Sequence, residues 1–149
     1  MFKYTRASRP TTYKQTEFRS ELEASWAAFF DIRGIIWEYE PLLNLSTWRP
    51  DFLLETKEDQ KQLTEVKPYL TLQDWEQDTL TIHKIINAFQ NKNKVFAILL
   101  GASPLAECCF SFGLSGIEKN IPMFEPIFIN DEDVSLDWNR AKNTVRWRP

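Results

Sequence analysis

The chain has 149 residues, 43% of them hydrophobic, and a formal net charge of −3. That is long enough to bury the core of one domain and too apolar for a disordered chain. No apolar run approaches the ~20 residues of a membrane span, and the basic start MFKYTRASRP lacks the apolar stretch of a secretory signal.

Two cysteines, Cys108 and Cys109, are adjacent. Neighbours make a strained disulfide and neither has a partner at metal-binding spacing, so they read as small buried residues of a strand in a reducing, cytoplasmic compartment. Charge is unevenly spread. Residues 1–19 and 138–149 each carry +4, which leaves the middle of the chain at −11. Basic ends on an acidic body suit contacts to phosphates around a cation-binding centre, and they equally suit solvated termini.

In chain order, a basic N-terminal arm runs to about Thr16. TEFRSELEASWAAFFDIRG then has Leu22, Trp26, Phe29 and Phe30 at helical spacing, with Gly34 as the stop. IIWEYEPLLNL reads as a strand that Pro41 ends or kinks. DFLLE and QLTEVK are short strands joined by polar TKEDQK, a hairpin pattern. TLQDWEQDTLTIHKIINAFQ reads as one helix capped by Thr71, with Leu72, Trp75, Thr79, Ile82, Ile86 and Phe89 inward. VFAILLG has the continuous apolar character of a strand covered on both faces. CCFSFG and PIFIN are further strand candidates, and DEDVSLDWNRAKN predicts a last helix capped by an Asp. With no repeat and no Gly/Ser linker, one domain over 1–149 is expected.

The hairpin carries the chemistry. Period-two alternation puts Glu65 and Lys67 on one face and Val66 on the other. Asp51 heads the partner strand, where pairing brings its carboxylate beside Glu65. Two readings follow from spacing alone. The charges are edge residues in ordinary cross-strand ion pairs, or the carboxylates share a hard divalent cation. Mg²⁺ takes one or two carboxylates, waters and substrate phosphate. The Val66 carbonyl would add a neutral oxygen, and Lys67 would face the bound water and a phosphate oxygen.

RPDF followed by EVK resembles the PD-(D/E)xK nuclease superfamily, with Pro50-Asp51 and Glu65-Val66-Lys67 in the motif positions. The predicted order over about 17–101, αβββαβ, is similar to the restriction-endonuclease-like core of that superfamily. The fold expected is α/β with a mixed sheet, residues 1–16 forming the arm and 102–149 a C-terminal extension of strands and a helix. FRSELEASWAAFFDIRGIIWEYEP also resembles the opening of small nucleases of phages and mobile elements.

That resemblance implies a helix carboxylate at the metal site, Glu23 with Glu21 as the alternative. It implies Mg²⁺, with Mn²⁺ able to substitute, and DNA phosphodiester hydrolysis by attack of metal-activated water. Asp51, Glu65, Lys67 and Glu23 would be catalytic. Asp51, Glu65, Val66 and Glu23 would hold the metal. Lys84, ahead of Gln77, would stand near the scissile phosphate. Arg6, Arg9, Arg146 and Arg148 would touch the DNA backbone, and Trp48 would flank the pocket. His83, the only histidine, is not needed as a base. Junction-resolving, nicking or site-specific cutting all fit, as does a homodimer with residues 102–149 at its interface. The alternative is an inactive nuclease fold that binds DNA or serves phage assembly or packaging.

Overall fold

A computed structural model describes residues 9–43, 45, 47–55, 61–89, 96–114 and 121–146. The described residues of the N-terminal segment form a hairpin. β1 (Thr11–Tyr13) and β2 (Thr16–Phe18) pair antiparallel across the two-residue turn Lys14-Gln15. Both turn residues have positive φ, 48° and 65°, the backbone of a tight hairpin loop. Tyr13 Oη donates to Asp31 at 2.5 Å and Lys14 Nζ lies 3.0 Å from the same carboxylate, so the hairpin is pinned to the next helix.

That helix, α1 (Glu21–Ile32), begins later than its hydrophobic spacing suggests. Ser20 has extended backbone and its Oγ accepts from the Glu23 N–H, which makes it the N-cap. Gly34 at φ +69° ends the turn. Trp26, Phe29 and Phe30 are buried as the periodicity requires.

A six-stranded mixed sheet follows: β3 (Ile36–Tyr39), β4 (Phe52–Glu55), β5 (Lys61–Val66), β6 (Phe96–Leu100), β7 (Phe110–Leu114) and β8 (Pro122–Pro126), neighbours in that order. Every pair is antiparallel except β5–β6. A parallel pair needs a crossover, and helices supply it here. β6 is covered on both faces as its apolar run implies. Ile98 and Leu100 join the core under α1, while Ala97 and Leu99 join the second core with Trp75, Ile82 and Ile85.

Three further elements depart from the sequence expectation. The crossover helix is two helices, α2 (Leu72–Gln77) and α3 (Thr79–Ala88). Asp78 breaks it, because its carboxylate accepts from the Thr81 N–H (3.1 Å) and from Tyr69 Oη (2.6 Å) and so caps a new helix. The shift in phase leaves Thr79 exposed and buries Thr81 and Ile85 instead. The last strand is Pro122–Pro126 rather than PIFIN. Prolines bracket it, which only an edge strand tolerates, and Phe124 lies opposite Phe112. The cysteines are buried and free, as expected, but precede β7 rather than lying in it.

The chain closes with α4 (Val134–Arg146), which packs Trp138 on Trp26 at a 4.8 Å ring separation. Arg33 at the end of α1 grips Asp131 (2.6 Å) and Asp137 (3.0 Å) at the start of α4. Trp26 Nε1 donates to the Gly101 carbonyl at 3.0 Å. A Cβ at Gly101 would stand 2.4 Å from the Cys108 carbonyl and 2.5 Å from that of Tyr69, so only glycine fits. Residues past β6 thus complete the core rather than hang from it. No helix among the described residues is long and apolar enough to cross a membrane.

Candidate active site

Asp51 stands just before β4, and two backbone contacts fix it. Its N–H donates to the Thr64 carbonyl on β5, and its carbonyl accepts from the Glu40 N–H, both at 2.8 Å. The carboxylate turns along the sheet, where Oδ2 accepts from the Val66 N–H at 2.8 Å. Phe52 pairs with Thr64, so the next step of the ladder sets Asp51 beside Glu65. Glu65 Oε2 accepts from Trp48 Nε1 at 2.6 Å. Trp48 is buried against the α3 core, so its ring packs and its N–H holds the acid.

The third carboxylate is Glu23, on the first turn of α1. Ser20 Oγ donates to its Oε1 (3.0 Å) and Tyr39 Oη to its Oε2 (3.2 Å). The tyrosine oxygen in turn accepts from the Arg19 N–H at 3.1 Å. Burial holds the Tyr39 hydroxyl protonated far above the ordinary tyrosine range, so it remains a donor.

These three acids perturb one another. Asp51 is pushed up to about 7, first by burial and then by the charge of Glu65. Glu23 is pushed up to about 7 by burial and by the charge of Asp51. Glu65 is raised by burial, with Glu23 adding to it, and is lowered by the Trp48 hydrogen bond and by Lys67. A cluster of this kind holds protons at neutral pH or takes up a cation.

Asp51, Glu65, Val66, Lys67 and Glu23 line one cavity of about 330 Å³, together with Arg19 and Arg49. A second, of about 380 Å³, adjoins it at Glu65, Lys67 and Arg49 and is lined by Thr47, Trp48, Thr81 and Lys84. Thr47 Oγ1 donates to the Lys84 carbonyl at 2.9 Å, which ties this wall to α3. Among the described residues, Arg49, Lys67 and Lys84 have no ion-pair partner within 4 Å.

The other expected residues fall elsewhere. Gln77 is exposed at the end of α2 and lines neither cavity; His83 is exposed on α3. Arg9 is exposed ahead of β1. Arg146 is not a free cation, since its Nε lies 2.6 Å from Glu21 Oε1. That ion pair also separates the two helix acids. Glu21 faces α4, and Glu23 faces Asp51. Arg6 and Arg148 lie outside the described residues.

Sequence reasoning passed over Arg19, Arg49, Tyr39 and Ser20. Arg49 sits inside Trp-Arg-Pro-Asp, and Ser20 with Glu23 has the spacing of a capping box, so both had a local signal. Arg19 and Tyr39 had none, because their role depends on the β2–α1–β3 packing. Among the described residues, no group of three or more His, Cys, Asp or Glu side chains is placed to hold a metal ion together. The donor set to weigh is therefore the Asp51–Glu65 pair. Comparison of the chain with models of known families, with curated proteins and with solved structures found no match.

Proposed function

We propose that this chain is a metal-dependent DNA endonuclease of the PD-(D/E)xK kind, which hydrolyses phosphodiester bonds. One observation carries the reading: Asp51, Glu65 and Glu23 share a cavity with Lys67, and burial and mutual repulsion raise all three carboxyls. A fold seeking stability alone gains nothing from gathering acids in this way. The element order α1-β3-β4-β5-α2-α3-β6 supports the reading, since it differs from the αβββαβ order that the resemblance implies only in having the second helix in two parts.

The residues fit a hard divalent cation such as Mg²⁺. Two adjacent carboxylates are the usual protein share of such a site, the rest being water and phosphate. Asp51 and Glu65 would hold it, with the Val66 carbonyl as a neutral oxygen and Glu23 acting through water. When bound, the ion would lower the pKa of a water and polarise the phosphate.

The chain's own groups do the remaining work. Val66 N–H and Trp48 N–H orient the two carboxylates, as outer hydrogen bonds commonly do for ligands. Lys67 supplies positive charge where the phosphate turns more negative during attack. Arg49 and Lys84 hold the strand through flanking phosphates. The balance is simple: one water adds, one P–O bond breaks, and the 3′ oxygen leaves with a proton.

The test is incubation with supercoiled plasmid and with a synthetic branched DNA, in Mg²⁺, Mn²⁺ or EDTA, beside Lys67→Ala. Cleavage should need the metal and fall about 10²–10³-fold in the variant. Absence of metal-dependent cleavage of any DNA, or equal cleavage by the variant, overturns the reading. DNA binding without cleavage would point to a non-catalytic nuclease fold.

A further inference from the structure

We infer that a third cavity, beside Asp51, receives an unpaired nucleobase, so that the preferred substrate is DNA with an unstacked nucleotide next to the bond that is cut. The inference rests on the nuclease reading and adds the form of DNA to it.

This cavity has a volume of about 280 Å³, near the lower end of small-ligand sites (~300 Å³). It adjoins the carboxylate cavity through Arg19, Arg49 and Asp51. A strand whose phosphate lies at Asp51 and Glu65 therefore has two ways to continue, and the two differ in chemistry. The Glu65 side adds two lysines and two threonines, Lys67, Lys84, Thr47 and Thr81, to Leu45, Trp48 and the shared Arg49. That lining suits phosphate and sugar. The Asp51 side offers Pro41, Leu42, Leu43 and Pro50 with the two arginines. Bases taken out of a stack rest on guanidinium planes and apolar side chains, and Leu and Pro serve as wedges between base steps. Charge agrees as well. Glu40, the other acid here, is neutralised by Arg19 at 2.7 Å, which leaves Arg49 to meet a phosphate.

Two independent features point the same way. Leu42 is 100% exposed and its neighbour Leu43 is 42% exposed. The backbone that delivers them is strained. Glu40 has φ +49°, a left-handed conformation in a non-glycine residue. It is held there by its N–H to the Asp51 carbonyl (2.8 Å) and by its carboxylate to Arg19. The turn that throws the leucines outward is thus anchored on the acid at the centre of the site.

The experiment measures binding in Ca²⁺, to limit cleavage, using duplexes that carry 2-aminopurine either paired or as a single unpaired base. The wild type should bind the unpaired form about tenfold more tightly, with its fluorescence changed on binding. Leu42→Ser and Leu43→Ser should bring that ratio close to one and leave affinity for perfect duplex nearly unchanged. Leu42 makes no buried contact, so its loss should not disturb folding, and circular dichroism confirms that. Equal affinity of the wild type for the two DNAs overturns the inference while leaving the nuclease reading intact. So does a ratio that survives both substitutions. If Leu42→Ser instead breaks a dimer and keeps the ratio, the leucines are a self-association surface and the inference is wrong. Failure to bind any DNA removes the nuclease reading and this inference together.

Discussion

The Val66 N–H donates to Asp51 Oδ2 at 2.8 Å, so the middle residue of the Glu-Val-Lys triplet orients the aspartate that lies 15 positions earlier. The Val66 side chain meanwhile is buried in the core under α1. One residue therefore ties the carboxylate pair to the packing of the sheet.

Trp48 should matter through its N–H as much as its ring. Trp48→Phe keeps an aromatic ring against the α3 core and leaves Glu65 without its donor. We expect cleavage to fall about 10–100-fold, with a stability loss of about 1–3 kcal/mol. Plasmid cleavage rates and urea unfolding check both, and an unchanged rate would show that the hydrogen bond does not position Glu65.

Stability should depend on pH in a defined window. Asp51 and Glu23 are held near 7 in the folded chain and sit near 4 when unfolded. Between these values the native state holds protons that the unfolded state has lost. Their contribution is thus fully present below about pH 4 and is lost as pH rises through about 7. Asp31, Asp78 and Asp131 are lowered instead, so they act only at more acid pH and leave this window to the cluster. In EDTA, Tm should fall from pH 5 to pH 8. Added Mg²⁺ should raise Tm more at pH 8 than at pH 6, because it binds the deprotonated acids. Asp51→Asn should flatten both trends; thermal scans that show no flattening would count against the cluster as their source.

Lys84 faces the second cavity with no ion-pair partner among the described residues. Lys84→Ala should weaken binding to all DNA sequences alike and reduce the slope of log affinity against log salt by about one. Titrations at several salt concentrations read this directly. The same slope as in the wild type would mean that Lys84 meets no phosphate.

Gly101 should tolerate no side chain. Gly101→Ala puts a methyl within 2.4–2.5 Å of two carbonyl oxygens, and backbone cannot yield as a flexible side chain can. We expect a loss of about 3 kcal/mol and a Tm lower by roughly 10 °C. A Tm within a degree or two of the wild type would show that the Tyr69 and Cys108 segments can move apart.

The Asp51–Glu65 pairing was legible because both signals behind it are local. Alternation has period two, and a short hairpin sets the register. β6 was legible for a similar reason, as a short unbroken apolar run is what a strand covered on both faces carries. The break at Asp78 was harder to see. The apolar spacing runs across it, and the cap that wins depends on Tyr69 reaching over from the preceding loop. The N-terminal hairpin was missed because a Lys-Gln turn carries no Gly or Asn signal; Asp31 holds it from another element.

Local pattern therefore accounts for the order of the elements from α1 to β6, apart from the break at Asp78, and for which acids meet across the hairpin, because each depends on near neighbours in the chain. Long-range packing settles the rest. It turns Glu23 inward and Glu21 toward Arg146, 125 residues away, and brings Arg19, Arg49 and Lys84 from three separate segments to one cleft. No short-range spacing encodes such meetings, since they arise only when α1, α3 and α4 close onto the sheet.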